Sequence, residues 1–155
     1  MKNYLLDTNI CVHYLKGQYR LREKINQVGL SSCFLSEITI AELLYGVANS
    51  SDEHRTKNLE KVNQLHEAFE GRILLIGECF HEYASQKASL KKAGKVVGEF
   101  DLLIGSTAII RDLTVVTRNT RDFINLKDIK LENWIEDEPG TDDEPSVSQR
   151  TAPKP

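Results

Sequence analysis

Tyr4-Leu5-Leu6-Asp7-Thr8-Asn9 is the stretch on which the fold turns. Three largely apolar residues read as a short buried strand, and the Asp-Thr-Asn that follows stops it at a turn or helix cap. All three polar residues favour an N-cap, so Asp7 could be a cap and nothing more. The apolar run directly before it, however, puts the carboxylate at a strand's exit, and in open α/β sheets the carboxyl ends of the strands line the ligand crevice.

Working outward, the same grammar recurs. Short strands are predicted over 3–6, 33–36, 73–76 and 114–117, with 129–131 as a fifth. Helices are predicted over 9–16, 20–28, about 38–48, 52–69, 78–93 and from Asp101 through Ile110. Gly17 and Gly29 punctuate the first pair, and Leu59, Val62, Leu65 and Phe69 give the fourth a narrow apolar stripe. The order β-α-α-β-α-α-β-α-α-β predicts an α/β domain, a parallel sheet of four to five strands with helices on both faces. From Glu136 onward periodicity ends, and acids and prolines dominate. Residues 1–135 therefore form one domain, and 136–155 an acidic tail expected to be disordered.

Composition narrows the class. With 155 residues, 40% hydrophobic and 28% charged, the chain fits one globular domain with a real core. No apolar run approaches the ~20 residues needed to cross a bilayer, and Asp7 interrupts the N-terminus before a signal core can form, so a cytoplasmic location is expected. Cys11, Cys33 and Cys79 have no close pairing and read as buried small hydrophobes. The net charge of −3 hides an uneven distribution: the tail holds six acids against Arg150 and Lys154, which leaves the body 18 bases and 17 acids. If a metal occupies several of those acids, the remaining body surface is positive.

The acids carry the chemistry. Besides Asp7, Glu42 lies in Thr39-Ile40-Ala41-Glu42-Leu43-Leu44-Tyr45-Gly46, Asp101 heads Leu102-Leu103-Ile104, and Asp122 follows Val115-Val116-Thr117. Blander readings exist for each. Thr39 to Glu42 spells a capping box. Asp101 suits a helix N-terminus, and Thr117-Arg118-Asn119-Thr120-Arg121-Asp122 could be a polar turn with solvated arginines. Against the first stand apolar neighbours, which put Glu42 in a surface that looks buried, where an unpaired carboxylate is costly. Carboxylates crowded into one crevice resist ionising together unless a cation joins them, and an all-oxygen set selects Mg²⁺ or Mn²⁺. Such ions drive displacement at phosphorus, and Arg118 and Arg121 could contact phosphate. His13 shares a helical face with Asn9 and is given little chance of touching substrate. Lys87, Lys91 and Lys95, with Lys92 beside them, make a basic stripe that reads first as a solvated face.

Taken in order, Leu6-Asp7-Thr8-Asn9, Thr39 to Gly46, Val97-Gly98-Glu99-Phe100-Asp101-Leu102-Leu103-Ile104 and Val116 to Phe123 resemble the PIN-domain ribonucleases, and within them the VapC toxins of bacterial toxin–antitoxin pairs. The likeness runs over residues 2 to 135. It implies a three-layer α/β/α domain, a homodimer, and Mg²⁺ or Mn²⁺ held chiefly by Asp7 and Asp101 with help from Glu42. It also implies cleavage of single-stranded RNA, transfer RNA being the expected substrate class, and inhibition by a cognate VapB-like antitoxin. Many members carry an acid where Asn119 stands, so either Asn119 or Asp122 supplies the fourth catalytic position beside Asp7, Glu42 and Asp101. Thr8, Asn9 and Thr117, with Arg118 and Arg121, would orient substrate. Two other classes compete. A haloacid-dehalogenase-type phosphatase wants an Asp where Asn9 stands, and a non-catalytic RNA-binding module would not need the acids.

Overall fold

In a computed structural model, which describes residues 1–135, five parallel strands lie in the order β3-β2-β1-β4-β5. They are β1 (Tyr4–Leu6), β2 (Cys33–Ser36), β3 (Ile73–Leu74), β4 (Thr114–Val116) and β5 (Lys130–Glu132). The helices are α1 (Thr8–Leu15), α2 (Leu21–Val28), α3 (Glu37–Ala48), α4 (Asp52–Ala68), α5 (Phe80–Lys92) and α6 (Glu99–Ile110). The acidic tail expected over 136–155 lies outside the described residues.

Period-two alternation divides the core. Tyr4 and Leu6 of β1 and Val116 of β4 pack with Ile10, Leu21, Leu43 and Leu65 of α1 to α4. Leu5 and Val115, one residue along, face Leu90 of α5 and Leu102, Ile104 and Ala108 of α6. The expected three layers are present, and α6 is buried along most of its length, as a helix apolar nearly all round must be. All three cysteines are buried. Among the described residues no helix is long and apolar enough to cross a membrane.

Third among the strands, the run expected over 73–76 stops two residues early. The Ile76 N–H bonds to Glu37 Oε1 at 2.9 Å rather than to a neighbouring strand, and Leu75 turns out to solvent, 65% exposed. An apolar tetrapeptide thus reads as a strand although a side chain has taken over its backbone bonding.

Strand order also locates the crevice. The chain runs outward from β1 through β2 to β3, then returns to β4 on the other side of β1. β1 and β4 therefore flank the point where the order reverses, where ligand sites of open α/β sheets form.

Candidate active site

Asp7 follows β1 and Thr117 follows β4, so the two stand side by side at that point. The Asp7 N–H donates to Val116 O at 2.9 Å, fixing the exit of β1 against β4. The carboxylate is fully buried. Its Oδ1 accepts from Thr8 N at 2.8 Å, an N-cap for α1, so the capping role is real. The other oxygen exceeds what a cap requires: Oδ2 accepts from Thr117 Oγ1 at 2.9 Å and from Asn9 Nδ2 at 3.1 Å. Asn9 in turn accepts Arg118 N on its Oδ1 at 3.1 Å, and Thr117 Oγ1 accepts Asn119 N at 3.1 Å. The loop after β4 is thereby tied to the loop after β1 through the acid.

Glu42 joins the same network from α3. The capping-box reading fails here, because Ser36 caps this helix by accepting Ile38 N at 3.1 Å, which leaves Glu42 in its second turn. Its Oε1 accepts from Thr8 Oγ1 at 2.8 Å, and Thr8 Oγ1 also exchanges a hydrogen bond with the buried Thr39 Oγ1 at 3.1 Å. The expectation of a buried apolar setting needs correction too: Ala41, Leu44 and Tyr45 are exposed, Tyr45 by 69%, and Glu42 is half-buried. Apolar residue type misleads on this surface, whereas Thr39, a polar residue in an apolar run, marks the site.

Asp101 enters from the opposite layer. It does not head its helix as expected. Gly98 is the N-cap, and Asp101 sits in the first turn, 5% exposed, beside the exposed Glu99 and Phe100. It lines a cleft with Val96, Val97 and Gly98 on one side and Asn119, Arg121 and Asp122 on the other. Asn119 and Asp122 thus share one wall. Asn119 alone of the two is also bonded, through its backbone, into the network around Asp7. Arg121 is exposed at this cleft, whereas Arg118, also exposed, is tied by its N–H to Asn9.

Whether these groups suit a divalent cation can be judged from the donors. Among the described residues no three Asp, Glu, His or Cys side chains are gathered to hold an ion by themselves. Asp7, Asp101 and Glu42 consequently do not form the ready three-carboxylate set that was expected. Mg²⁺ does not need one, since it keeps several waters and binds through one or two carboxylates plus a substrate phosphate. The nearby thiols do not compete: burial pushes Cys11 far above its usual range, with the Asp7 charge adding to the effect, and pushes Cys33 up to about 11. What remains is oxygen, which fits a hard ion.

Part of the lysine stripe has a structural task. Lys87 Nζ pairs with Glu99 Oε1 at 2.7 Å, and Lys95 Nζ donates to Asn125 Oδ1 at 3.2 Å, so two of its members hold the first turn of α6 and the loop after β4. Two other residues, neither marked by any sequence pattern, fix that loop. Gln86, buried on α5, accepts Lys127 N on Oε1 at 3.0 Å and donates from Nε2 to Lys127 O at 2.9 Å. Gly105 lets the loop lie on α6, for a Cβ there would fall 2.3 Å from Leu126 Cδ1.

Known proteins resemble this chain in sequence and in fold. The PIN domain family model matches residues 4–129. Ribonuclease VapC2 of Rickettsia felis is 33% identical over 141 residues, covering 84% of this chain and 97% of the relative. A tRNA(fMet)-specific endonuclease VapC of Shigella flexneri is 33% identical over 138 residues, covering 86% and 99%. Among solved structures, DNA-bound VapBC from Salmonella typhimurium superposes with a TM-score of 0.77 at 31% identity, covering 86% of this chain and 99% of that one.

Proposed function

The chain belongs to the PIN-domain family, with VapC ribonucleases among its relatives, and on that premise we propose that it is a metal-dependent endoribonuclease toxin that hydrolyses phosphodiester bonds in RNA. The observation that carries this reading is the buried Asp7 carboxylate at the strand-order reversal, hydrogen-bonded to Thr117 and joined through Thr8 to Glu42.

Asp7 and Asp101 would hold Mg²⁺ or Mn²⁺, and the ion would supply Lewis acidity for in-line displacement at phosphorus. The protein's own groups do the positioning. Thr117 and Asn9 hold Asp7 Oδ2 in one orientation. Thr8 holds Glu42 toward the same space, where it can orient water or the ion's hydration shell. Asn119 and Asp122 face the cleft opposite Asp101, and Arg121 at the rim offers a guanidinium to phosphate oxygens.

Transfer RNA is the substrate class to try first, given the specificity named for the Shigella flexneri relative. The working assembly in the cytoplasm would be a homodimer inhibited by a VapB-like antitoxin, and the likeness to the DNA-bound VapBC structure from Salmonella typhimurium supports the antitoxin partner. Because acids line the cleft, the antitoxin segment that covers it should present an Arg or Lys. A haloacid-dehalogenase-type mechanism is disfavoured on a specific ground: Asn9, with its amide donating to Asp7 and accepting Arg118 N, stands where that chemistry requires a second, proton-donating Asp. The deciding experiment incubates the purified chain with total transfer RNA and Mg²⁺ and sequences the new ends. Discrete ends that disappear with Asp7→Asn are expected. Intact RNA under every divalent ion would refute the proposal.

A further inference from the structure

Beside the acids stands one aromatic ring, that of Tyr19, to which the proposed hydrolysis assigns no role. Tyr19, in the turn between α1 and α2, lies edge-on to the His13 ring at 4.9 Å between centroids, while the Arg118 guanidinium lies over its ring at 5.5 Å. Arg118 Nη1 also donates to the Tyr19 hydroxyl at 3.4 Å, and His13 Nδ1 is 2.7 Å from Gln18 Oε1. The ring belongs to neither core cluster and is exposed by 37%.

Its backbone is costly. Tyr19 and Arg20 are consecutive residues with φ of 57° and 54°, a left-handed conformation that Gly or Asn adopts far more readily than a bulky side chain. A glycine at 19 would relieve this and would remove nothing from the core. Strained residues of this kind concentrate at ligand sites, where the side chain is what the strain preserves. The position fits: Arg118 is bonded by its N–H to Asn9, and Asn9 is bonded to Asp7, so the ring stands just outside the acidic network.

We propose that the Tyr19 ring, held by His13 and Arg118, is a stacking platform for an unpaired nucleobase of single-stranded RNA adjoining the phosphate that is cut. Aromatic rings and arginine planes are the usual partners of splayed bases, and stacking tolerates any base, so this platform would give affinity and strand placement rather than sequence choice. The inference rests on the ribonuclease reading above.

Its test compares binding of two 12-mers to the full chain in EDTA, which prevents cleavage: oligouridylate, and a strand of the same length without bases. Tyr19→Leu should weaken oligouridylate binding by about tenfold, within the range for loss of one base stack, and should leave the abasic strand unaffected. Tyr19→Phe should bind both like the parent chain. A 5-iodouridine strand should photo-crosslink to Tyr19 and, in Tyr19→Leu, should not crosslink at that position. Equal weakening toward both strands would mean that Tyr19 only shapes the loop, and would overturn the proposal. So would crosslinks that map elsewhere while oligouridylate still binds, which would leave the ribonuclease reading standing. Unchanged RNA affinity with lost binding of an inhibitory protein partner would assign the cluster to that partner instead. Failure of the parent chain to bind either strand, combined with no cleavage in Mg²⁺, would bring down both readings.

Discussion

At residue scale, the fate of Asp7 depends on three donors aimed at one carboxylate. An Asn in its place keeps one oxygen, which can still cap α1 through Thr8 N, but its amide then faces Asn9 Nδ2. One unsatisfied buried donor costs ~1–3 kcal/mol, and removal of a buried negative charge offsets part of that, so Asp7→Asn should stay folded. Its RNA cleavage should fall by several orders of magnitude, as loss of a metal ligand does, and Asp101→Asn should behave alike. Single-turnover rates on purified variants check this; a well-folded Asp7→Asn that cuts at parental speed contradicts the mechanism. Thr8→Val is a finer probe. It removes the hydroxyl that holds Glu42 while keeping the shape and the backbone N–H that Asp7 accepts. Groups that orient ligands are worth about 10–100-fold, so its rate should drop by that factor, well short of the Asp7→Asn loss. Between the two candidates on the cleft wall, the bond from Asn119 N to Thr117 favours Asn119 as the fourth position, and Asp122→Asn should then be milder than Asp101→Asn.

At the scale of elements, the loop after β4 is held at its far end by packing rather than by regular structure. Phe123 and Leu126 are buried, and Leu126 lies where a side chain on Gly105 would stand. Gly105→Ala sets two effects in opposition. Alanine gains up to ~1 kcal/mol of helix propensity over glycine. The new methyl would fall 2.3 Å from Leu126 Cδ1, so that side chain must shift while buried against Phe123, and overpacking costs typically 1–3 kcal/mol. Overpacking should win. The melting temperature should fall by several degrees, and because Asn119, Arg121 and Asp122 ride on the displaced loop, cleavage should fall too; thermal denaturation alongside kinetics measures both. This loop also marks where the sequence stops being readable. Strand exits and helix periodicity are local signals, and they place Asp7 at the end of β1 as expected. The ends of α3 and α6 are misread, because Thr39 to Glu42 spells a cap that Ser36 in fact provides, and Asp101 resembles a cap that Gly98 supplies. Gln86 reaching Lys127, and Gly105 accommodating Leu126, are contacts between distant segments that leave no periodic trace. Tyr19 escapes notice for a related reason, since nothing in its residue type announces a left-handed backbone.

Across the whole molecule, charge gathers where the sheet order reverses. Asp7 follows β1, Glu42 lies on α3 and Asp101 on α6, so the acids reach the crevice from three elements held by separate apolar packing, without forming a ready ion-binding set among the described residues. A divalent cation that binds only the folded arrangement should therefore stabilise the domain, whatever it does for catalysis. At a concentration 100 times its Kd the gain is ~2.7 kcal/mol. Mg²⁺ or Mn²⁺ should accordingly raise the melting temperature of the parent chain in a concentration-dependent way, and excess EDTA should reverse it. The shift should vanish in Asp7→Asn and Asp101→Asn, which lack the ligands. Thr8→Val should keep most of it, because Glu42 is not required to hold the ion if one or two carboxylates suffice. Cleavage should follow the same titration, with Ca²⁺ shifting the melting temperature yet restoring little rate, since its looser coordination orients water poorly. Melting curves that ignore every divalent ion, together with cleavage that survives exhaustive chelation, would mean that these acids work without a metal, and the roles given to Asp7 and Asp101 would have to be replaced by general acid–base chemistry.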